Sequence, residues 1–583
     1  MLRTPCVPPR SWSRVARSAT LSATLSAALS ATTLAAVCAA SLVALVPAAA
    51  AAQAVTGVGE DAIPVPRGSL RIGTGGLWND YREAWSRESP GGAYGRGPLL
   101  GALNTDRLGT GILATLSDAE LALRTLTGQS TFQLSMGPLE ARGQVRQSIA
   151  PITLDYGVTR RFSVRLVVPY VESRDATQFV LNRTGLGANV GANPAFGTTG
   201  AAARAINGSL VTQIATARTQ LAAEITRCAD VAATGCDAIR ADPARAQALL
   251  GRAQDIRSAL LTVYGDASRG GAPVVPITGS ALHTTIVGTM TSLRDDFTAF
   301  GVSALTATGP SPAALIYGPA GITNIASDTA FGVGYERLGD TRRAGIGDID
   351  LTATWLLWDT FRADQVARLL APRRGIRSAI SAGWRFGTAG ADRTEDAFDV
   401  PIGEGANALL LRSTTDLLLN NWAWMSATLR VVRPLEDEIV AIVPPRDIAN
   451  TFSGPISVGA TTRSLGQRMD IELMPRVAVG SFFGLAAGVI HRRWSNDQYS
   501  ATPIGETPSN PAITSWTVPS RSLTSGTVGV TFSSLASYAR RRSRIPAEVI
   551  YTHQFPLSGS GGFVPAVSSD RLELRVYTGF PRR

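Results

Sequence analysis

Acidic and basic side chains recur at every second position inside otherwise apolar stretches, and they are the residues of this chain best equipped to meet a solute. In "LDYGVTRRFSVRLVVPYVESR", residues 154–174, Asp155 and Arg165 share one phase, while Leu154, Tyr156, Leu166, Val168 and Tyr170 share the other. The same alternation sets Asp348 and Asp350 against Ile349, Leu351 and Trp355, and Arg385 against Trp384 and Phe386. It sets Asp470 and Glu472 against Ile471 and Leu473, and Glu573 and Arg575 against Leu572, Leu574, Val576 and Phe580. Arg412, Asp416 and Arg476 fall in the matching phase of their own stretches. Both signs of charge are present, so the set suits mutual ion pairing as well as contact with a polar solute.

Other chemistry is sparse. The imidazoles are His283, His491 and His553, and none sits in a nucleophile motif, so no enzyme and no cofactor are expected. Cys228 and Cys236 are an even pair in an exported chain and are expected to form a disulfide. The nearest histidine to them is His283, too far along the chain to suggest a metal site, and none is expected.

The elements that must position these charges are strands, because strict alternation is the mark of a strand between two environments. Each clear arm runs about nine to eleven residues, the length a tilted strand needs to cross a bilayer. Gly157-Val158-Thr159-Arg160 reads as a tight hairpin connection. A soluble sandwich also alternates, but its apolar faces must be covered by a second sheet. Charge facing lipid near the bilayer midplane costs about 2–4 kcal/mol, so the charged phase is expected to face a wet interior. Pro169 is expected near a strand end, where one lost ladder bond matters less. Aromatic residues gather toward arm ends (Phe162, Tyr170, Trp355, Trp358, Trp384, Phe386, Phe580), as interfacial girdles require.

The chain's start fits export. Residues 1–19 carry Arg3, Arg10, Arg14 and Arg17 with no acid, an Ala-rich apolar run follows, and Ala52-Gln53-Ala54 fits a cleavage site. Residues 1–54 are therefore read as a signal peptide. Beyond them no run of 18 or more apolar residues occurs, so no transmembrane helix is expected. The net charge of +11 includes the signal arginines, all 55 basic residues are arginine, and the charge is scattered, so no nucleic-acid partner is expected.

Counting arms back from the C-terminus gives an all-β, antiparallel transmembrane barrel of about twelve strands (range 10–14), with long and short connections mostly alternating. Residues 55–129 are expected to be a periplasmic or plug segment. Within them, 117–126 reads as a helix with a Ser117/Glu120 capping box. Residues 130–173 hold the first barrel strands, including an arm near 130–138, and 346–583 hold the rest. Residues 174–345 read as a helical extracellular insert. One helical stripe in it runs Ile206, Leu210, Ile214, Leu221, Ile225. A second helix opens at Asp242-Pro243 and closes at Gly265, and a third stripe runs Ile286, Met290, Leu293, Phe297.

Three elements resemble a known family: the hairpin Tyr156 to Thr159, the strand segment Val168 to Tyr170, and the strand opening Gly345 to Asp348. They are similar to those of the outer-membrane transporter family of the meta-pathway of phenol degradation. The match covers 150–174 and 343–358; the long insert departs from the pattern, as do Pro581-Arg582-Arg583 after Phe580. The resemblance implies a barrel and passage of aromatic or apolar compounds. The function expected is a pore or facilitator for a small molecule of unknown identity. The expected location is the outer membrane of a Gram-negative-type bacterium, with lipid and the barrel-assembly machinery as partners. The alternative is a surface adhesion or structural protein that uses the insert.

Overall fold

The computed structural model describes residues 60–87, 94–328, 331, 339–360, 374–390, 400–420, 422–443, 457–503 and 514–581. The signal reading of 1–54 lies outside them. Twelve antiparallel strands close a barrel. They are β1 Leu70–Tyr81, β2 Leu139–Gly157, β3 Phe162–Leu181, β4 Ile349–Asp359, β5 Gly375–Phe386, β6 Ala408–Leu418, β7 Ala423–Pro434, β8 Arg468–Val479, β9 Phe483–Trp494, β10 Arg521–Ser533, β11 Ala547–Ser560 and β12 Ser568–Thr578. Each pairs with its neighbours in chain order, and β12 returns to β1 from Leu70↔Thr578 to Asp80↔Ser568, so the sheet has no open edge.

The strand number agrees with the sequence count, but its first member does not. Residues 130–138 form no strand; the first is β1, inside the segment 55–129 that was expected to lie apart from the barrel. Its sequence, "LRIGTGGLWNDY", hides the alternation behind glycines. They are required there: a Cβ at Gly75 would run into the Leu572 carbonyl, and one at Gly76 into the Trp78 ring.

Side chains alternate in and out as period two demands. Ile152, Leu154, Tyr156, Leu351, Trp355, Leu411, Leu473, Val528 and Leu574 stand exposed outside, while Asp155, Asp350, Asp416, Asp470, Glu472 and Glu573 are buried inside. A β-bulge where β4 meets β5 leaves both Leu357 and Trp358 outside, 55% and 71% exposed. Outward aromatics are densest at one rim, where Phe162 meets Trp355 edge-on at 6.3 Å and Phe482 stacks on Phe532 at 5.8 Å, and Trp78, Tyr170 and Phe386 stand exposed toward the other. Phe580 does not join them. Gly579 turns the chain (φ +67°), and Phe580 packs with Leu535, Tyr538 and Tyr577.

The first rim carries the tight turns at 158–161 and 480–482 and the short link between Leu418 and Ala423. The other carries the long connections. Pro169 lies at mid-strand rather than near an end, because β3 runs on to Leu181 as part of a ribbon above the barrel. It stands opposite Pro151, and the strand on its other side is interrupted at Gly347-Asp348 between Thr341–Ile346 and β4.

Above the long-connection rim sits a helical body: α1 Ser117–Thr127, α2 Ala201–Cys228, α3 Pro243–Tyr264 and α4 Ala281–Ala299. The helix α1 comes from the β1–β2 connection and shares one core with the insert. It therefore lies with the insert rather than in the lumen, and is not a plug. Ser117 caps nothing; its hydroxyl donates to Ala114 O at 2.6 Å, and Glu120 accepts from Leu134 N at 2.8 Å and from Arg124 at 2.5 Å. The Asp242 carboxylate does cap α3, accepting from Arg245 N at 2.9 Å. Leu210, Ile214, Leu221, Ile286, Met290, Leu293 and Phe297 are buried, whereas Ile206 is 52% exposed and falls off its stripe. Cys228 and Cys236 are bridged at the end of α2.

Candidate functional site: the barrel lumen

Two chain segments fill the lumen, one from each rim. Residues 60–66 fold back from the start of β1 at the tight-turn rim, held there by Gly68 N donating to Gly157 O at 2.7 Å. They carry Glu60, Ala62 and Val65 into buried positions. From the other rim the β5–β6 connection dips inward. Its Ala389 and Ile402 pack on the inward Leu77, Ile149, Val167 and Val171.

The predicted charges sort around these two segments. On the tight-turn side, Arg71 donates to Asp155 at 3.0 Å, and Arg165 bonds both Asp155 and Glu60. Arg412 makes an ion pair with the same Glu60 carboxylate, and Arg476 donates to the Glu60 carbonyl at 2.9 Å. Asp416 accepts from Arg377 at 2.7 Å, from Ser426 at 2.6 Å and from the backbone N–H of Ala62 at 2.9 Å. Four predicted residues on three strands thus hold one short segment: Arg165, Arg412, Asp416 and Arg476, with Asp155 bracing Arg165.

On the other side, Asp350 takes a two-pronged contact from Arg385 at 2.8 and 3.1 Å, and Arg385 also reaches Glu404 at 3.2 Å. Asp348 is an anchor for the inward connection, accepting from the N–H groups of Ala389 at 3.0 Å, Glu404 at 2.9 Å and Gly405 at 3.3 Å. Asp470 pairs with Arg492 at 3.1 Å, Glu472 with Arg430 at 2.6 Å, and Glu573 with Arg571 at 2.6 Å and Arg575 at 2.8 Å. Charges buried this deeply persist only when paired.

Between the two fillings lies a cavity of about 60 Å³. Arginine dominates its lining: Arg165, Arg385, Arg412, Arg430 and Arg468 against Asp350 and Asp470, with Val167, Leu410 and Val432 as apolar wall. Sequence reasoning missed Arg71, Arg377, Arg430, Arg468, Arg492 and Arg571, although Arg377 shares the phase of Arg385 four pleat repeats away. It also missed Glu60 and Glu404, which lie in connections with no period to read.

The imidazoles stand elsewhere. His283 accepts from Gly279 N at 3.3 Å at the start of α4, and His491 meets Thr524 at 3.0 Å on the outside wall. His553 also faces outward, 2.9 Å from Asp570, which accepts from the Tyr551 hydroxyl at 2.7 Å. Among the described residues no group of three potential metal ligands occurs.

No family model matches the sequence, and no curated protein matches it. Among solved structures the chain is similar to an outer membrane channel from Pseudomonas putida, at 10% identity over 90% of this chain and 98% of that one, with a TM-score of 0.37. It is also similar to a FadL homologue from Pseudomonas aeruginosa, at 8% identity over 88% and 90%, with a TM-score of 0.23. The toluene transporter TbuX of Ralstonia pickettii gives 9% identity over 89% and 90%, with a TM-score of 0.20. Likenesses this weak carry no argument; the barrel is read from the chain's own strand pairing.

Proposed function

We propose that the chain is an outer-membrane barrel that conducts a small molecule through its lumen when residues 60–66 withdraw. The observation that carries this reading is the division of labour across the wall. The outside is an apolar belt that needs lipid, and the inside is charged and filled by chain segments rather than by wall side chains meeting at the axis. Twelve strands enclose more space than the roughly eight-strand barrel whose own side chains can fill it, so the lumen is a passage wherever its filling segments move aside. Here residues 60–66, outside the closed ladder, form one of the two fillings and can leave without breaking the ladder. The surrounding partners are lipid at the belt and, for insertion, the barrel-assembly machinery. Small aromatic compounds, the class implied by the sequence resemblance, are the first solutes to try.

The test is uptake into proteoliposomes by the barrel with and without residues 60–66. Faster uptake on removing the segment supports conduction through the lumen. Equal, background-level uptake by both forms, with both folded, sinks it.

A further inference from the structure

We infer that the lumen position taken by the Glu60 carboxylate is an anion site, and that the conducted solute is a small apolar carboxylate that competes with Glu60 for it. The inference rests on the conduction reading above.

Glu60 belongs to the segment that must leave, yet its carboxylate is held as a ligand is held. One oxygen meets Arg165 and the other meets Arg412, with Glu60 at 5% side-chain exposure and the arginines at 12% and 17%. The two arginines come from β3 and β6, strands separated by two others, so the clamp is made by the lumen and not by one hairpin. Arg165 has a wall carboxylate of its own in Asp155. For Arg412 the wall offers Ser381 Oγ at 3.1 Å and the field of Glu472, which is shared with Arg430, and the carboxylate Arg412 meets directly is the departing one.

Withdrawal of Glu60 therefore leaves two guanidinium groups converging on a buried point. Guanidinium recognises the planar, two-oxygen form of a carboxylate, and a buried cation that loses its counter-charge is costly. A second anion arriving with the solute restores the balance. Asp61 repeats the theme one residue on, lying in the field of Arg377, Arg476 and Arg575. Both acidic groups thus travel with the segment, while the arginines stay in the wall. The space beside the clamp is the 60 Å³ cavity, whose arginine-rich wall also presents Val167, Leu410 and Val432, so a small apolar body can lie against that part of the wall while its carboxylate meets the guanidinium groups.

Benzoate and its uncharged isostere benzamide are the probes. In equilibrium dialysis of the folded, detergent-solubilised chain, Glu60→Gln should bind benzoate about tenfold or more tightly than benzamide. Adding Arg412→Gln should abolish the preference. Equal binding of the two probes by Glu60→Gln overturns the anion site. Uptake into proteoliposomes separates this from conduction. Selective binding with no uptake of either probe keeps the site and removes the pore. Uptake of both without selective binding keeps the pore and removes the site. If Glu60→Gln does not fold, a nitroxide on Ile63→Cys in the otherwise native chain reports the same competition. Benzoate should mobilise the label and benzamide should not; an equal response, or none to either, overturns the proposal.

Discussion

Which way a charge points was legible from its neighbours; what it touches was not. The lipid penalty forces the polar phase inward, so Asp155, Arg165, Asp416 and Asp470 could be placed inside from alternation alone. Their partners come from other strands at registers no local pattern encodes, and Glu60 comes from a segment without any period. This matters for mutation. An open, wet lumen would tolerate reversal of Arg165, but the structure puts Arg165 between Asp155 and Glu60. Arg165→Asp would gather three carboxylates at one buried point and is expected to expel residues 60–66 or block folding, read by heat-modifiable gel mobility and protease cleavage near Arg67. Asp416→Ala strips partners from Arg377, Ser426 and the Ala62 N–H together, so it should cost about 3–5 kcal/mol in urea unfolding from vesicles. A loss below about 1 kcal/mol would mean that water enters and takes over the pairing. In the helical body, burial pushes the Tyr264 hydroxyl well above the usual tyrosine range, and the group finds no partner among the described residues. Tyr264→Phe removes an unsatisfied buried oxygen and should raise thermal stability of that body by about 1 kcal/mol or more. A fall instead would reveal a hidden partner.

Elements were readable where their periods were unbroken. The strands from β2 onward and the helices α3 and α4 announced themselves. The strand β1 did not, because close contact with β12 and with Trp78 demands glycine where apolar markers would stand. The capping box at Ser117 failed for a different reason: Glu120 is drawn away to the Leu134 N–H, so a tertiary contact overrides a local one. Packing against α3 in one common core shows that α1 belongs with the insert. Deleting 183–339 and joining the ends should thus leave the barrel heat-modifiable while stripping cover from Leu116, Leu123 and Leu126, now fully buried or nearly so. Limited proteolysis should then cut within 100–138 first. If that stretch stays resistant, α1 is held by the barrel alone and the shared core is not needed. The Cys228–Cys236 bridge closes a short loop of separation 8. Its reduction should weaken the α2–α3 hairpin by about 2–3 kcal/mol, seen as faster hydrogen exchange near 222–246 with no change in the barrel strands.

At the scale of the whole molecule, the arrangement predicts an orientation that can be read in cells. Both described ends of the barrel chain sit at one rim, where Leu70 pairs with Thr578, and the tight turns at 158–161 and 480–482 and the short link between Leu418 and Ala423 share that rim. The helical body and the four-stranded sheet of Asp437–Val443, Ser457–Ser464, Asp497–Pro503 and Ser515–Val518 occupy the other. Outward charge begins toward the second rim, at Asp80, Arg146, Glu172, Arg433 and Arg493, and closes the apolar belt there. Barrels of this kind place short turns in the periplasm and long connections outside. Protease added to intact cells should therefore cut the connections near the helical body, such as 182–200, while a protease site engineered at Thr159 stays intact until the outer membrane is permeabilised. Leu166→Arg, set in the middle of the belt beside the same turn, should lower folding stability in vesicles by about 2–4 kcal/mol. A conservative Leu166→Val at the same point should not. Cutting at Thr159 with the helical body protected would invert the molecule in its membrane. Normal folding of Leu166→Arg would shift the register of β3 by one residue, exchanging its lipid face for its lumen face.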